Sequence, residues 1–151
     1  MTTRCILERK KKYLLTNYYK QLRKKHSILM NGESPLGNKW TYDSDNRKNI
    51  PKVLAIPANI NLEYKTSQLS KFADYVNKNY KSNPGNTDFF NYPIDHQQAI
   101  MNYENFLEYK FRNFGSYQDA IVNNKTYLFH SNISSSLNIG LITPKEVIDK
   151  A

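Results

Sequence analysis

The residues best placed to do chemistry in this 151-residue chain lie in its last quarter, from His130 to Val147. Ser131, Ser134, Ser135 and Ser136 gather four hydroxyls just ahead of a short stretch patterned by Leu137 and Ile139. Hydroxyl donors next to the free amide N–H groups of a starting helix suit a phosphate. The same serines also fit an ordinary helix cap. Gly140 is placed to stop this first helix. Thr143-Pro144-Lys145-Glu146 then opens a second, as a Thr-x-x-Glu capping box with proline at the first helical position. The chain reaches Ala151 about two turns later, an arrangement that fits a short docked helix or a continuation supplied elsewhere.

Other reactive residue types do not assemble into a site. His26, His96 and His130 are scattered, with no second ligand at metal-binding spacing, so no metal residues are assigned. Asp95-His96 reads as a cap followed by a surface residue. There is no Gly-x-Ser-x-Gly, His-Glu-x-x-His or phosphate-binding glycine loop, which leaves hydrolase and nucleotide-kinase chemistry without support and no catalytic residue to name. Asp43 and Asp45 lack the remaining oxygen ligands and the glycine of a calcium loop. The single cysteine, Cys5, excludes a disulfide framework or a multi-cysteine metal site within one chain.

The net charge of +9 is unevenly distributed. Met1 to Lys52 holds 13 Lys or Arg against 4 Asp or Glu, whereas Val53 to Ala151 holds 9 of each. Lys10, Lys11, Lys12, Lys20, Arg23, Lys24 and Lys25 surround an apolar stripe of Leu7, Leu14, Leu15, Tyr18, Leu22 and Leu29, the spacing of an amphipathic helix. Such a face can be a nucleic-acid surface, since clustered cations release counterions on meeting phosphates. It can equally be a solvated helix face in a lysine-rich protein.

The elements that must position these residues read as helices joined by long loops. Asn31 to Asn61, with Gly32, Pro35, Gly37, Pro51 and Pro57, is a long connection. Leu69, Phe72, Ala73 and Val76 give one face to a helix from Ser67 to about Asn79. Asn83-Pro84-Gly85 marks a turn. Asp95 caps a helix carrying Ala99, Ile100, Tyr103, Phe106, Leu107, Lys110 and Phe111, with Gly115 as its terminating residue. A shorter turn or helix follows from Ser116 to Val122. With no run of strands and no repeat, the fold class is all-α. No apolar run nears the ~20 residues that span a bilayer, and Met1 to Lys12 lacks the core of a signal peptide. A soluble intracellular protein without a membrane partner is therefore expected. The heavy Asn, Lys, Tyr and Ile load can come from an AT-rich genome.

Several motifs then line up with one family. His130-Ser131-Asn132-Ile133-Ser134-x-x-Leu137-x-x-Gly140-x-Ile142-Thr143-Pro144 resembles the Thr-Ser-x-Leu-Ser-x-x-Leu-x-x-Gly-x-Leu-Ser-Pro segment of photolyases and cryptochromes. Gly37-Asn38-Lys39-Trp40-Thr41-Tyr42-Asp43-Ser44-Asp45-Asn46-Arg47-Lys48 resembles the Gly-Lys-Trp-Asn-Phe-Asp-x-x-Asn-Arg-Lys signature of the photolyase-related branch, typified by iron–sulfur bacterial cryptochromes and prokaryotic (6-4) photolyases. Phe114-Gly115-x-Tyr117-Gln118-Asp119-Ala120 fits the same branch. The similarity runs collinearly from about Tyr18 to Ala151 and covers only the middle of the family's length.

The resemblance implies a partial helical FAD-binding domain of photolyase type. Residues 1–30 would be a basic helix ending the antenna domain or starting the linker, 31–62 the inter-domain loop, and 63–151 the first part of the FAD domain. His130, Ser131, Asn132, Ile133 and Ser134 would hold the FAD diphosphate, and Trp40 would pack within the linker. Asn132 stands where the family often has Arg, and His130 where classical photolyases have Thr. The family's activity is light-driven electron transfer from reduced FAD to a pyrimidine lesion in DNA. Its [4Fe–4S] cluster needs four cysteines, so none is expected in this chain. The expectation is a truncated or split protein, inactive in repair by itself, that pairs with a separately encoded C-terminal fragment. The competing reading is a non-enzymatic basic nucleic-acid-binding module.

Overall fold

The computed structural model describes residues 14–62, 66–88 and 90–151 and is largely helical. The chain divides into two compact units, Met1–Asp45 and Asn46–Ala151, with the boundary inside the segment read as an inter-domain loop.

In the first unit, α1 spans Leu15–His26. Its last turn carries Arg23, Lys24, Lys25 and His26, a favourable placement at the negative end of the helix dipole. Ser27 then takes a left-handed φ of 54°, Ser27 N–H donates to Lys24 O and Ile28 N–H to Arg23 O. This paired 5→2 and 6→1 closure is a Schellman stop made without glycine. Arg23 does not stay in solvent. It is buried, and its guanidinium donates to the carbonyls of Ile28 and Leu29 and to the Tyr19 hydroxyl. Beyond the helix, β1 (Met30–Asn31) and β2 (Ser34–Pro35) pair antiparallel, with Met30 opposite Pro35. This small hairpin was not expected from the sequence. Gly32, at φ +56°, supplies the positive φ that a two-residue hairpin loop requires. Two 3-10 turns, Leu36–Asn38 and Asp43–Asp45, follow.

The second unit holds the buried apolar residues found among those described: Leu62, Ala99, Tyr103, Phe106, Leu128, Phe129 and Ile142. Its helices are α2 (Thr66–Asn79), α3 (His96–Tyr109), α4 (Phe111–Tyr117), α5 (Ser134–Asn138) and α6 (Pro144–Lys150). Asp95 caps α3 as expected, accepting a bond from Gln98 N–H at 2.8 Å. Gly115 does not end this helical stretch, and lies inside α4 instead. The break falls at Lys110, with φ −121° and ψ −31°. Lys110 is only 3% exposed, and its ammonium donates to Asn59 Oδ1. The helix turns where a long cationic side chain is drawn inward, a contact spanning 51 residues that local pattern does not encode. Phe106 sits at the joint, with ring centroids 5.5 Å from Phe111, 5.6 Å from Phe114 and 6.1 Å from Tyr103.

The connection 46–62 is held by hydrogen bonds rather than by a core of its own. Asp119 N–H donates to Asn46 O, and Lys48 N–H to Ser116 O. Asn91 accepts from Leu62 N–H at 3.1 Å and donates to Ile60 O at 2.9 Å, as a neighbouring strand would. Among the described residues no helix is long and apolar enough to cross a membrane.

Two predictions follow from the joint at Lys110. Burial lowers the pKa of its ammonium below the usual 10.5. The folded state therefore binds fewer protons than the unfolded state between that lowered value and 10.5, and the lysine's contribution to stability rises with pH across this window. The thermal midpoint of the parent chain should climb relative to Lys110→Met as pH approaches 10.5, and a pH-independent gap between the two would contradict the burial. Asn59→Leu strips the ammonium of its partner and should cost about 2–3 kcal/mol in denaturant unfolding. Lys110→Met made in that background should recover part of the loss, and simple additivity would rule the pair out as the joint.

Candidate functional site

The serine-rich turn is fixed by buried residues before it and by a closed loop after it. Phe129, 1% exposed, anchors the strand of chain leading in, and its ring lies 5.6 Å from that of Tyr117. His130 meets Phe114 edge-on at 6.1 Å. Ser131 O accepts from Asn102 Nδ2 of α3 at 3.3 Å. Asn132 then turns the backbone with a left-handed φ of 55°, a conformation that Asn tolerates better than most residues.

Ile133 is the N-cap of α5 and carries no side-chain cap, so no serine hydroxyl closes this end. The first regular bond is Leu137 N–H to Ile133 O at 2.9 Å. From Ser131 through Ser136, no amide N–H donates to a backbone carbonyl among the described residues. Successive unpaired amides around a left-handed residue can form a nest for an anion.

The four serines divide into two pairs. Ser134 is exposed and Ser131 half-buried, whereas the Ser135 and Ser136 hydroxyls face inward, buried without a hydrogen-bond partner among the described residues. Only Ser131 and Ser134 remain as hydroxyl donors at the turn.

The far side is closed as the sequence indicates. Gly140, at φ +77°, is the left-handed residue of a Schellman stop, with Leu141 N–H to Ser136 O at 2.8 Å and Gly140 N–H to Leu137 O at 3.3 Å. Thr143 and Glu146 form the reciprocal capping box, with Pro144 at its start. Hydrogen bonds from the Thr143 hydroxyl and amide hold the Glu146 carboxyl below its usual pKa, helped by the nearness of His96 and Lys150. Helix α6 is tied to α3 by the Tyr103 hydroxyl donating to Val147 O at 2.6 Å and by the Lys150–Glu104 pair. His96, at the start of α3, donates from Nδ1 to Leu141 O at 2.8 Å.

The motif segments of the second unit meet one another. Segment 46–48 is bonded to 116–119, where Arg47 Nε lies 3.4 Å from the Asp119 carboxylate. Phe114, from the same segment, carries His130. Sequence reasoning missed Asn59, Asn91, Asn102 and Asp119 as positioning residues, because each acts on a partner remote in sequence.

The basic residues fall mainly in the first unit. Lys10, Lys11 and Lys12 lie outside the described residues. Lys20 Nζ and Arg23 Cζ each stand 5.4 Å from the centroid of Trp40. Lys24 pairs with Glu33 at 2.6 Å, which lowers the Glu33 pKa. Lys25 is exposed. Trp40 is thus packed against α1 through cations.

Comparison with known proteins adds a second line of information. The chain is 28% identical to a (6-4) photolyase of Agrobacterium fabrum over 143 residues, 94% of this chain and 28% of that protein. It therefore spans a little over a quarter of that relative's length. It is also 44% identical over 46 residues to the uncharacterized protein R852 of Acanthamoeba polyphaga mimivirus, covering 30% of this chain and 24% of that one. A third similarity, 62% identity over 34 residues, is to protein R853 of the same virus and covers 22% of this chain and 26% of the relative. These fractions put the two viral proteins at about 190 and 130 residues, far shorter than the photolyase. Residues 2–92 match the family described as deoxyribodipyrimidine photo-lyase-related protein. With that match over more than half its length, the chain belongs to the deoxyribodipyrimidine photo-lyase-related family.

Proposed function

We propose that residues 46–151 are the opening part of a photolyase-type FAD-binding helical domain, and that the turn His130–Ser134 holds the flavin's diphosphate. The observation that carries this reading is that the amides of Ser131 to Ser134, around left-handed Asn132, donate to no backbone carbonyl among the described residues. The fit is to the diphosphate alone. Ser131, Asn132, Ile133 and Ser134 would donate from the backbone, with the Ser131 and Ser134 hydroxyls beside them and His130 lining the turn. Bound FAD would supply the light-driven electron that the family delivers to a pyrimidine lesion in DNA. This chain's part is to grip and orient the phosphates.

Gripping the rest of the flavin calls for further helices. Two features support that need. Phe72, Val76 and Phe90 around α2, and Met101 and Ile148 on α3 and α6, leave apolar surface exposed. The two short viral relatives also show that similar sequence occurs in chains far shorter than the photolyase. We infer that the missing helices pack on these faces, in a continuous polypeptide or as a separately encoded C-terminal fragment. Without them the turn must meet the full ordering cost of a large ligand with few contacts, so the chain alone should neither retain FAD nor repair DNA.

Two experiments test this reading. After gel filtration, the 151-residue chain should carry no flavin absorbance, while a mixture with a polypeptide bearing the remaining domain helices should carry it. Flavin absent from both samples would reject the assignment. In the mixture, Asn132→Val, which resists a left-handed φ, should weaken FAD by about 10- to 150-fold, the loss of one or two bonds to a charged phosphate. Asn132→Gly should leave it nearly unchanged, and equal behaviour of the two variants would remove the turn from the site.

A further inference from the structure

The first unit contains a groove of about 1150 Å³ between α1 and the loop Leu36–Asp43. Tyr18, Tyr19, Leu22, Trp40 and Tyr42 line it, with buried Arg23 at its floor. Cations lie against its rings: Lys20 and Arg23 at Trp40, Arg23 also at Tyr19 at 5.6 Å, and Lys39 at Tyr42 at 5.4 Å. Four cation–ring approaches between Tyr19 and Tyr42 set the groove apart from an ordinary apolar seam.

We propose that this groove binds single-stranded nucleic acid, stacking bases on Tyr19 and Tyr42 and receiving backbone phosphates at Lys20 and Lys39. Tyr19 and Tyr42 are 44% and 53% exposed, so their faces can be reached. The Tyr42 hydroxyl lies beside Gly37. A Cβ at Gly37 would lie 2.5 Å from that hydroxyl, so the tip of the tyrosine uses space that glycine leaves open. The Arg23 guanidinium is fixed by two carbonyls and the Tyr19 hydroxyl, a positive floor that needs no rearrangement. The sequence of the first unit, Met1–Asp45, holds ten Lys or Arg against four Asp or Glu, which complements an anionic strand. A duplex hides its base faces within the stack, whereas an unpaired strand offers one to every ring, the pattern of single-strand grooves. This site is in the first unit and does not depend on the flavin reading.

Trp40 is the sole tryptophan, so its fluorescence reports groove occupancy. The full chain is titrated with oligothymidylate about twelve nucleotides long, a duplex of equal length, polyphosphate, and anionic phospholipid vesicles. Oligothymidylate should quench Trp40 and bind more tightly than the other three. Tyr42→Ala should weaken that binding by about 5- to 150-fold, Tyr42→Phe should restore it, and Tyr75→Ala in the second unit should leave it unchanged. Lys39→Gln should lower the slope of log Kd against log salt by about 0.7, the loss of one phosphate contact. The salt slope and the Phe rescue keep the test decisive if Tyr42→Ala unfolds the unit. Equal response to polyphosphate, tighter binding of duplex or vesicles, or an unchanged slope with Lys39→Gln would each overturn the proposal.

Discussion

A lysine ammonium buried against the Asn59 amide ties together the parts of the second unit. Lys110 interrupts the helical run, yet the hydrogen-bond ladder continues through it. Its N–H donates to Phe106 O, and its carbonyl accepts from Asn113 and Phe114. The break is therefore a kink and not an end, and kinks need a cause. At this kink the Lys110 side chain is withdrawn from solvent and held by Asn59 on the long connection. The change of direction lets Phe111 and Phe114 both reach Phe106. Phe114 in turn receives His130, the first residue of the serine-rich turn. Burying a charge is expensive, and this one links the connection, the kinked helices and the approach to the turn.

Asparagine takes an unusual share of the positioning. Asn59 holds Lys110, Asn91 bridges Ile60 and Leu62, and Asn102 holds the Ser131 carbonyl. A segment such as 46–62 exposes backbone groups that no helix or sheet satisfies, and buried ones must be paired. An amide side chain offers a donor and an acceptor at once. The Asn-rich composition, readable as genome bias, is structural at these positions.

How legible each feature was follows from the range of the forces behind it. The Asp95 cap, the Thr143–Glu146 box, the Gly140 stop and helix α2 were all readable, because each is decided within a few residues. The kink at Lys110 was not, since its partner is remote. Gly115, read as a terminator, is helical because the break had already occurred five residues earlier. Arg23 was grouped with the solvated basic face, but the helix stop brings two carbonyls within its reach and it turns inward. The sequence pattern offered four serine hydroxyls, and the family resemblance singled out Ser131 and Ser134. A short helix can present only part of a consecutive run to one side, and Ser135 and Ser136 face the interior.

That division sharpens how the turn could work. Its amides are held by Phe129, by the Asn102–Ser131 bond and by the Gly140 closure, all made within the chain. Such a site loses little freedom when an anion arrives, and preorganisation of this kind favours binding. Asn132 brings no charge, and the sequence from Val53 onward is neutral overall. An anion at the turn would thus rely on amide dipoles and two hydroxyls, whose reach is short. The long-range positive field belongs to the residues up to Lys52. Any attraction of a polyanion and any grip on a diphosphate would therefore rest on different parts of the sequence, and salt would act on the first far more than on the second.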